Sequence, residues 1–201
     1  SGNLDNETLG LINNLLDQRA DFFSTLEKST DLDVKQSVRL GNVDLSVIQD
    51  PDFNSKLDKV AKQLGVDSNS ILAVIKHESG GNPGAVNPMS GATGLIQFMP
   101  NTARQLGTTT DELRKMSAVD QLDYVYLYYK MVGVRPGMDA GDLYVATFMP
   151  AALGKGDHHV LGVRGDGGFS GAVYRQNAPL DRNRDGTITV ADIKNSVSRF
   201  A

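Results

Sequence analysis

The run Ile71-Leu72-Ala73-Val74-Ile75 closes on one acid, Glu78, and the chain then turns through Ser79-Gly80-Gly81-Asn82-Pro83-Gly84. No other feature constrains the fold as tightly. An apolar helical run has to be buried, and the glycines and proline stop it abruptly, so the next segment folds back over its end. That next segment is amphipathic and closes on Gln97. Helix, glycine-rich turn and second segment together build a cleft with one carboxylate on its wall. An acid held against apolar surface has its charged form disfavoured, which suits a general acid working near neutral pH. By itself Glu78 reads as a solvated residue near a helix end; its neighbours reverse that reading in favour of the acid.

Helical punctuation recurs along the chain. Leu9, Ile12, Leu16, Phe23 and Leu26 fall at three- and four-residue spacing, which predicts a helix over 5–28 with one apolar face, packed on the following domain or docked on a larger parent protein. Residues 29–52 are polar and read as a linker with short turns. A helix over 52–64 follows, and Asp67-Ser68-Asn69-Ser70 offers N-caps for the helix that carries Glu78. Further helices are expected over 102–106, 111–116, 120–131 and 142–153, with Pro150 limiting the last. No stretch alternates strongly enough to predict a strand. The expected fold class is mainly α.

The residues around Glu78 resemble the soluble lytic transglycosylase family, which is lysozyme-like and cuts the glycan strands of peptidoglycan. The family pattern is Glu-Ser, a loop with Asn-Pro and Ala, then Gly-Ala-x-Gly-Leu-Met-Gln. Here it stands as Glu78-Ser79, Asn82-Pro83, Ala85 and Gly91-Ala92-Thr93-Gly94-Leu95-Ile96-Gln97. The resemblance continues through Phe98-Met99-Pro100-Asn101-Thr102-Ala103 to Tyr126-Leu127-Tyr128-Tyr129-Lys130, and covers about residues 53 to 155. It departs in two places. Asn87 stands where the family has Ser, with one extra residue before Gly91. Ala146-Thr147-Phe148-Met149-Pro150-Ala151 stands where the family has Ala-Tyr-Asn-Ala-Gly, so Phe148 replaces a hydroxyl that helps to orient the acid. Either a tyrosine from elsewhere takes that role or the acid is held less tightly.

The resemblance implies cleavage of the β-1,4 bond between N-acetylmuramic acid and N-acetylglucosamine, with Glu78 as acid and then base. It closes a 1,6-anhydro ring on the muramic sugar and needs no cofactor for the chemistry. One carboxylate suffices because the substrate supplies the nucleophile, whereas ordinary glycosidases use a pair. Sequence leaves Asp111, Glu112, Asp120, Asp123, Asp139 and Asp142 open as second acids. Ser79, Gln97 and Asn87 are candidate sugar contacts, with Gln97 expected to face an open cleft. Tyr124, Tyr126, Tyr128 and Tyr129 are candidates for stacking on sugar, although one helix cannot aim all four at one groove. Tyr129 is the one favoured. The alternatives are a goose-type muramidase that uses water, and an inactive peptidoglycan-binding or structural virion component.

After Gly154 the composition changes. Glycines crowd 162–171 without a predicted strand and helix around them, which argues against a dinucleotide site. Arg164-Gly165-Asp166 resembles an integrin-binding tripeptide, a match too short to carry weight, and the pair His158-His159 reads as a solvated loop. Farther on, Asp181, Asn183, Asp185, Thr187, Thr189 and Asp192 occupy positions 1, 3, 5, 7, 9 and 12 of an EF-hand register, with Gly186 at position 6. Dockerin-like calcium loops resemble this variant, in which Asp192 replaces the usual Glu. A structural Ca2+ is the expected ligand, and a polar Asp/Asn/Gly turn is the alternative. The expected organisation is therefore an N-terminal helix and linker over 1–50, a transglycosylase-like domain over 51–155 and a Gly-rich extension with an EF-hand-like loop over 156–201.

Net charge is −4 with no basic block, which argues against phosphate-directed nucleic acid binding. The chain has no cysteine, which removes disulfides and thiol chemistry. No stretch approaches the ~18 apolar residues a spanning helix needs. The start, Ser1-Gly2-Asn3, shows no signal pattern and reads as a piece of a larger polypeptide. The expected partner is peptidoglycan and the expected place of action the periplasm or cell wall, with delivery by a phage virion suggested by analogy.

Overall fold

The computed structural model describes residues 43–201, and the helix expected over 5–28 lies outside the described residues. Helices dominate, as the periodicity predicts. A short α1 (Leu45–Ile48) starts from an Asp44 cap. The Asp44 N–H donates to the Gly80 carbonyl at 2.6 Å, which fastens this segment to the turn after the Glu78 helix. α2 (Pro51–Leu64) is capped by Asp50 and carries Pro at its first position, where a missing N–H costs nothing. It ends at Gly65, whose φ of 72° is the left-handed closure that glycine adopts without strain. α3 (Ser68–Ser79) takes Asp67 as its cap and buries Ile71, Ala73, Val74, Ile75, His77 and Glu78.

α4 (Pro100–Gln105) and α5 (Thr110–Lys115) are single short turns of helix. α5 begins with a capping box in which Thr109 and Glu112 satisfy each other's backbone. α6 (Ala118–Val132), capped by Ser117, is the longest helix among the described residues, and it packs on α2. α7 (Ala140–Phe148) stops earlier than expected: Pro150 opens a separate 3-10 turn, Pro150–Ala152, rather than extending the helix.

The region after Gly154 differs from its reading as a glycine-rich loop. β1 (Val160–Val163) pairs antiparallel with β2 (Thr187–Thr189), and α8 (Gly168–Asn177) lies between them. A strand followed by a helix is therefore present around these glycines. The sheet is two-stranded and antiparallel, not the parallel unit of a dinucleotide fold, so the cofactor reading still fails. Gly162 allows the close approach: a Cβ there would stand 2.9 Å from the Tyr174 backbone nitrogen. The strands escaped notice because four- and three-residue strands are too short to alternate visibly. α9 (Val190–Val197) then starts from a Thr189–Asp192 capping box, and a 3-10 turn, Ser198–Phe200, ends the chain.

One buried apolar cluster runs from Phe53 through Leu122 and Leu143 to Ile188, Ile193 and Val197. The composition break near 155 thus does not interrupt the core, because α9 packs along α7 and the Ser198–Phe200 turn packs against α3. Among the described residues no helix is long and apolar enough to cross a membrane.

Candidate active site

Glu78 sits one residue before the end of α3, on the face that also presents Ile71, Val74 and Ile75, and is 1 % exposed. That face is dictated by spacing, since residues three, four and seven apart stack on one side of a helix. Phenols from two other helices lie within electrostatic reach of the acid. Tyr128 and Tyr129 come from α6 and Tyr144 from α7. Burial raises all three phenols above their usual range, and the charge of Glu78 pushes each further up. The Tyr129 hydroxyl lies 2.9 Å from Thr147 Oγ1, which itself donates to the Leu143 carbonyl at 2.7 Å. Tyr128 donates to the Ala146 carbonyl at 2.7 Å. The acid is thus buried within electrostatic reach of three phenols.

Tyr144 was not singled out from sequence, yet it is fully buried and feels the charge of Glu78. A usable signal existed: Tyr144 and Phe148 stand one helical turn apart, and their rings lie 6.0 Å apart.

The segment after α3 is closed by side chains that the motif only partly revealed. Ser79 Oγ donates to the Leu95 carbonyl at 2.8 Å, tying the end of α3 to the returning segment. Gln121, from α6, accepts from the Leu95 N–H at 2.9 Å and donates to the Pro83 and Leu113 carbonyls, each at 2.7 Å. Gly94 leaves room for it, since a Cβ there would meet Gln121 Oε1 at 2.5 Å. Gln121 drew no attention in sequence, because an internal Gln in an apolar helix has no local signature.

Two expectations change. Gln97 does not face an open cleft: it is 3 % exposed, and its amide donates to the Ala85 and Gly94 carbonyls at 3.2 and 3.1 Å. Its backbone has φ 55°, an unusual conformation for a residue with a side chain. Gln97→Ala is therefore expected to lower stability by about 1 kcal/mol, because two side-chain hydrogen bonds are lost while the Ala85 and Gly94 carbonyls keep the backbone N–H groups of Gly94 and Gln97, and a melting curve of the variant checks this. Tyr129 offers no ring to a groove, since it is completely buried. Tyr126 and Tyr128 are buried too, and Tyr124 is partly so. Asn87 lies in a partly open loop, where its Oδ1 accepts from the Met89 and Ser90 N–H groups at 2.9 and 3.3 Å.

The six acids left open by sequence are each engaged elsewhere. Asp111 pairs with Arg114 at 3.4 Å, Asp120 accepts from Ser117 at 2.8 Å and Asp123 meets Lys56 at 2.6 Å. Glu112 and Asp139 cap helices, and Asp142 reaches Lys194 at 3.0 Å.

In the 181–192 loop Gly186 has φ 88° and Ile188 is fully buried. Asp181 accepts from Tyr174 Oη at 2.6 Å and from the Gly186 and Asp185 N–H groups at 3.0 and 3.1 Å. The Tyr174 bond, foremost, holds its carboxyl below the usual range. Arg164 also reaches Asp181 at 3.4 Å, so the arginine of the tripeptide is a structural tie. Asp185 accepts from the Thr187 hydroxyl at 2.6 Å and Asp192 from the Thr189 hydroxyl at 2.7 Å. The donor set is all oxygen, as calcium prefers. Among the described residues, however, no three His, Cys, Asp or Glu side chains gather into a group that could hold a metal ion.

A mainly helical fold whose core helix ends in a buried acid, with a glycine-rich segment folded over it, is consistent with a lysozyme-like domain. Residues 55–122 match the family model described as Transglycosylase SLT domain. That match spans α2 to the first turns of α6 and supports a peptidoglycan-cleaving function of the lytic transglycosylase type in general. No solved structure matches the chain.

Proposed function

We propose that the protein cleaves the β-1,4 bond between N-acetylmuramic acid and N-acetylglucosamine, leaving 1,6-anhydro ends, with Glu78 as the one catalytic carboxylate. The observation that carries the reading is the pairing of a buried Glu78 with phenol neighbours, while the six other candidate acids serve as caps or ion pairs. Burial favours the protonated acid, which donates its proton to the glycosidic oxygen as the bond to the muramic C1 breaks. The resulting carboxylate then takes the proton of the 6-hydroxyl of that same sugar as its oxygen closes on C1. Asn87 is proposed to contact the sugar from the partly open loop, while Ser79, Gln97 and Tyr129 hold the site's frame. The place of action is the cell wall, within the periplasm, and delivery by a larger protein or a phage particle is an additional proposal.

Incubation with purified sacculi and mass analysis of the products tests this. Anhydro-muropeptides are expected. Hydrated products would establish a muramidase, and no products would establish a binding or structural role.

We also propose that the 181–192 loop takes a structural Ca2+ through Asp181, Asn183, Asp185, Thr187, Thr189 and Asp192. The oxygen register and the left-handed Gly186 support it. Calcium would lessen the repulsion among the carboxylates, and the loop's own residues would continue to anchor β2 and α9. A ligand that binds only the folded state adds about 2.7 kcal/mol at a hundredfold excess over Kd. Calcium is therefore expected to raise the melting temperature, and Asp181→Ala with Asp185→Ala to abolish the shift. Calorimetry without heat at millimolar calcium would reduce the loop to a polar turn.

A further inference from the structure

The C-terminal segment lies outside the matched region, yet it closes on the helix that carries Glu78. Val190, Ile193 and Val197 are essentially inaccessible, so α9 is seated in the core. Its position against α7 is fixed by a close approach and a clamp. A Cβ on Gly141 would stand 3.0 Å from Lys194 Cβ and Cγ, so the lysine stem lies on the helix backbone. The ammonium then bridges Asp142 at 3.0 Å and Asp157 at 3.3 Å.

This seating brings two side chains to the neighbours of the acid. The Phe200 ring meets His77 edge-on, with centroids 5.7 Å apart. His77 is 3 % exposed, and its ring lies 4.4 Å from that of Tyr144. Ser196 is buried on α9, which packs along the α7 that carries Tyr144, and donates to the Ile193 carbonyl at 2.7 Å; it lowers the Tyr144 phenol against the larger effects of burial and of Glu78. Among the described residues, ionisable side chains near the acid include His77, its neighbour on α3, Tyr128 and Tyr129 on α6, and Tyr144 on α7. From the C-terminal segment, Arg199 stacks its guanidinium 4.7 Å from the Phe200 ring centre.

We propose that Phe200 and Ser196 are positioning residues of the active site: the C-terminal segment packs His77 and Tyr144 against Glu78, so the placement of the acid depends on residues far along the chain. The proposal rests on the reading of Glu78 as the acid, and it assigns residues 190–200 a part in the chemistry that the matched region alone lacks. Phe200 and Ser196 act through His77 and Tyr144 and touch no substrate.

The experiment compares the full chain with Phe200→Ala, Phe200→Tyr and Ser196→Ala. The titration of the Glu78 side-chain carbon is followed by NMR, and muropeptide release by its pH profile, kcat and KM. In Phe200→Ala and Ser196→Ala the Glu78 midpoint is expected to move by about half a pH unit or more. A small misplacement of a reacting group is costly, so kcat should fall by about tenfold with KM little changed. Phe200→Tyr, which keeps the ring, should restore both. A Glu78 midpoint equal to that of the full chain in both Phe200→Ala and Ser196→Ala overturns the proposal, even where melting temperature falls. Failure of the underlying reading looks different: the full chain releases no muropeptides, or Glu78→Gln cleaves as well as the full chain, while the NMR titration still decides whether the C-terminal segment controls Glu78.

Discussion

Glu78→Gln is expected to lose peptidoglycan cleavage by about 10²–10⁴-fold, the usual contribution of a general acid–base group. The loss should fall at or beyond the upper end, because one carboxylate gives a proton and then takes one. An amide does neither. The substitution is nearly isosteric, and α3 keeps its Asp67 cap and its buried apolar face, so circular dichroism should be unchanged. Substituting the neutral amide also removes the cost of ever charging a group that is 1 % exposed, so the melting temperature should hold or rise. Cleavage within a few-fold of the unaltered protein, with an intact fold, would remove Glu78 from the chemistry.

Gln121→Leu is expected to be the most damaging single change to stability. It strips the partner from the Leu95 N–H and from the Pro83 carbonyl in one step and removes a second donor from the Leu113 carbonyl, which keeps the Met116 N–H. Each buried group left without a partner costs about 1–3 kcal/mol, so a loss on the order of 3–5 kcal/mol is expected. That is a large share of the ~5–15 kcal/mol that holds a domain together. Gly94→Ala should act on the same contact, since its Cβ would drive into Gln121 Oε1 and its φ of 85° disfavours a side chain. Denaturant unfolding checks both. A cost below about 1 kcal/mol for Gln121→Leu would mean that the glycine-rich segment is held by other means.

Much of the helical frame was legible because its signals are local. Asp50, Asp67, Thr109 and Ser117 cap the helices that the sequence places after them, each bonding a backbone N–H two or three residues on. Gly65, Gly80 and Gly133 end helices in the left-handed conformation that glycine accepts. Glu78 was legible for the same reason: its burial follows from its spacing to Ile71 and Ile75.

The sequence by itself determined a mainly helical chain, the acid, and the turn that folds back over it, because capping and periodicity act within a few residues. Only the tertiary structure decided what surrounds the acid. Gln121 reaches the Pro83 carbonyl 38 residues away, and Tyr144 and Phe200 converge on His77 of α3 from elements with no sequence relation to it. The same distance effect turned Gln97 inward, made Tyr129 part of a buried wall, and joined residues 156–201 to the core through Ile188, Ile193 and Val197. A side chain's partners across a fold are set by how apolar faces pack, and one strand of sequence does not carry that information.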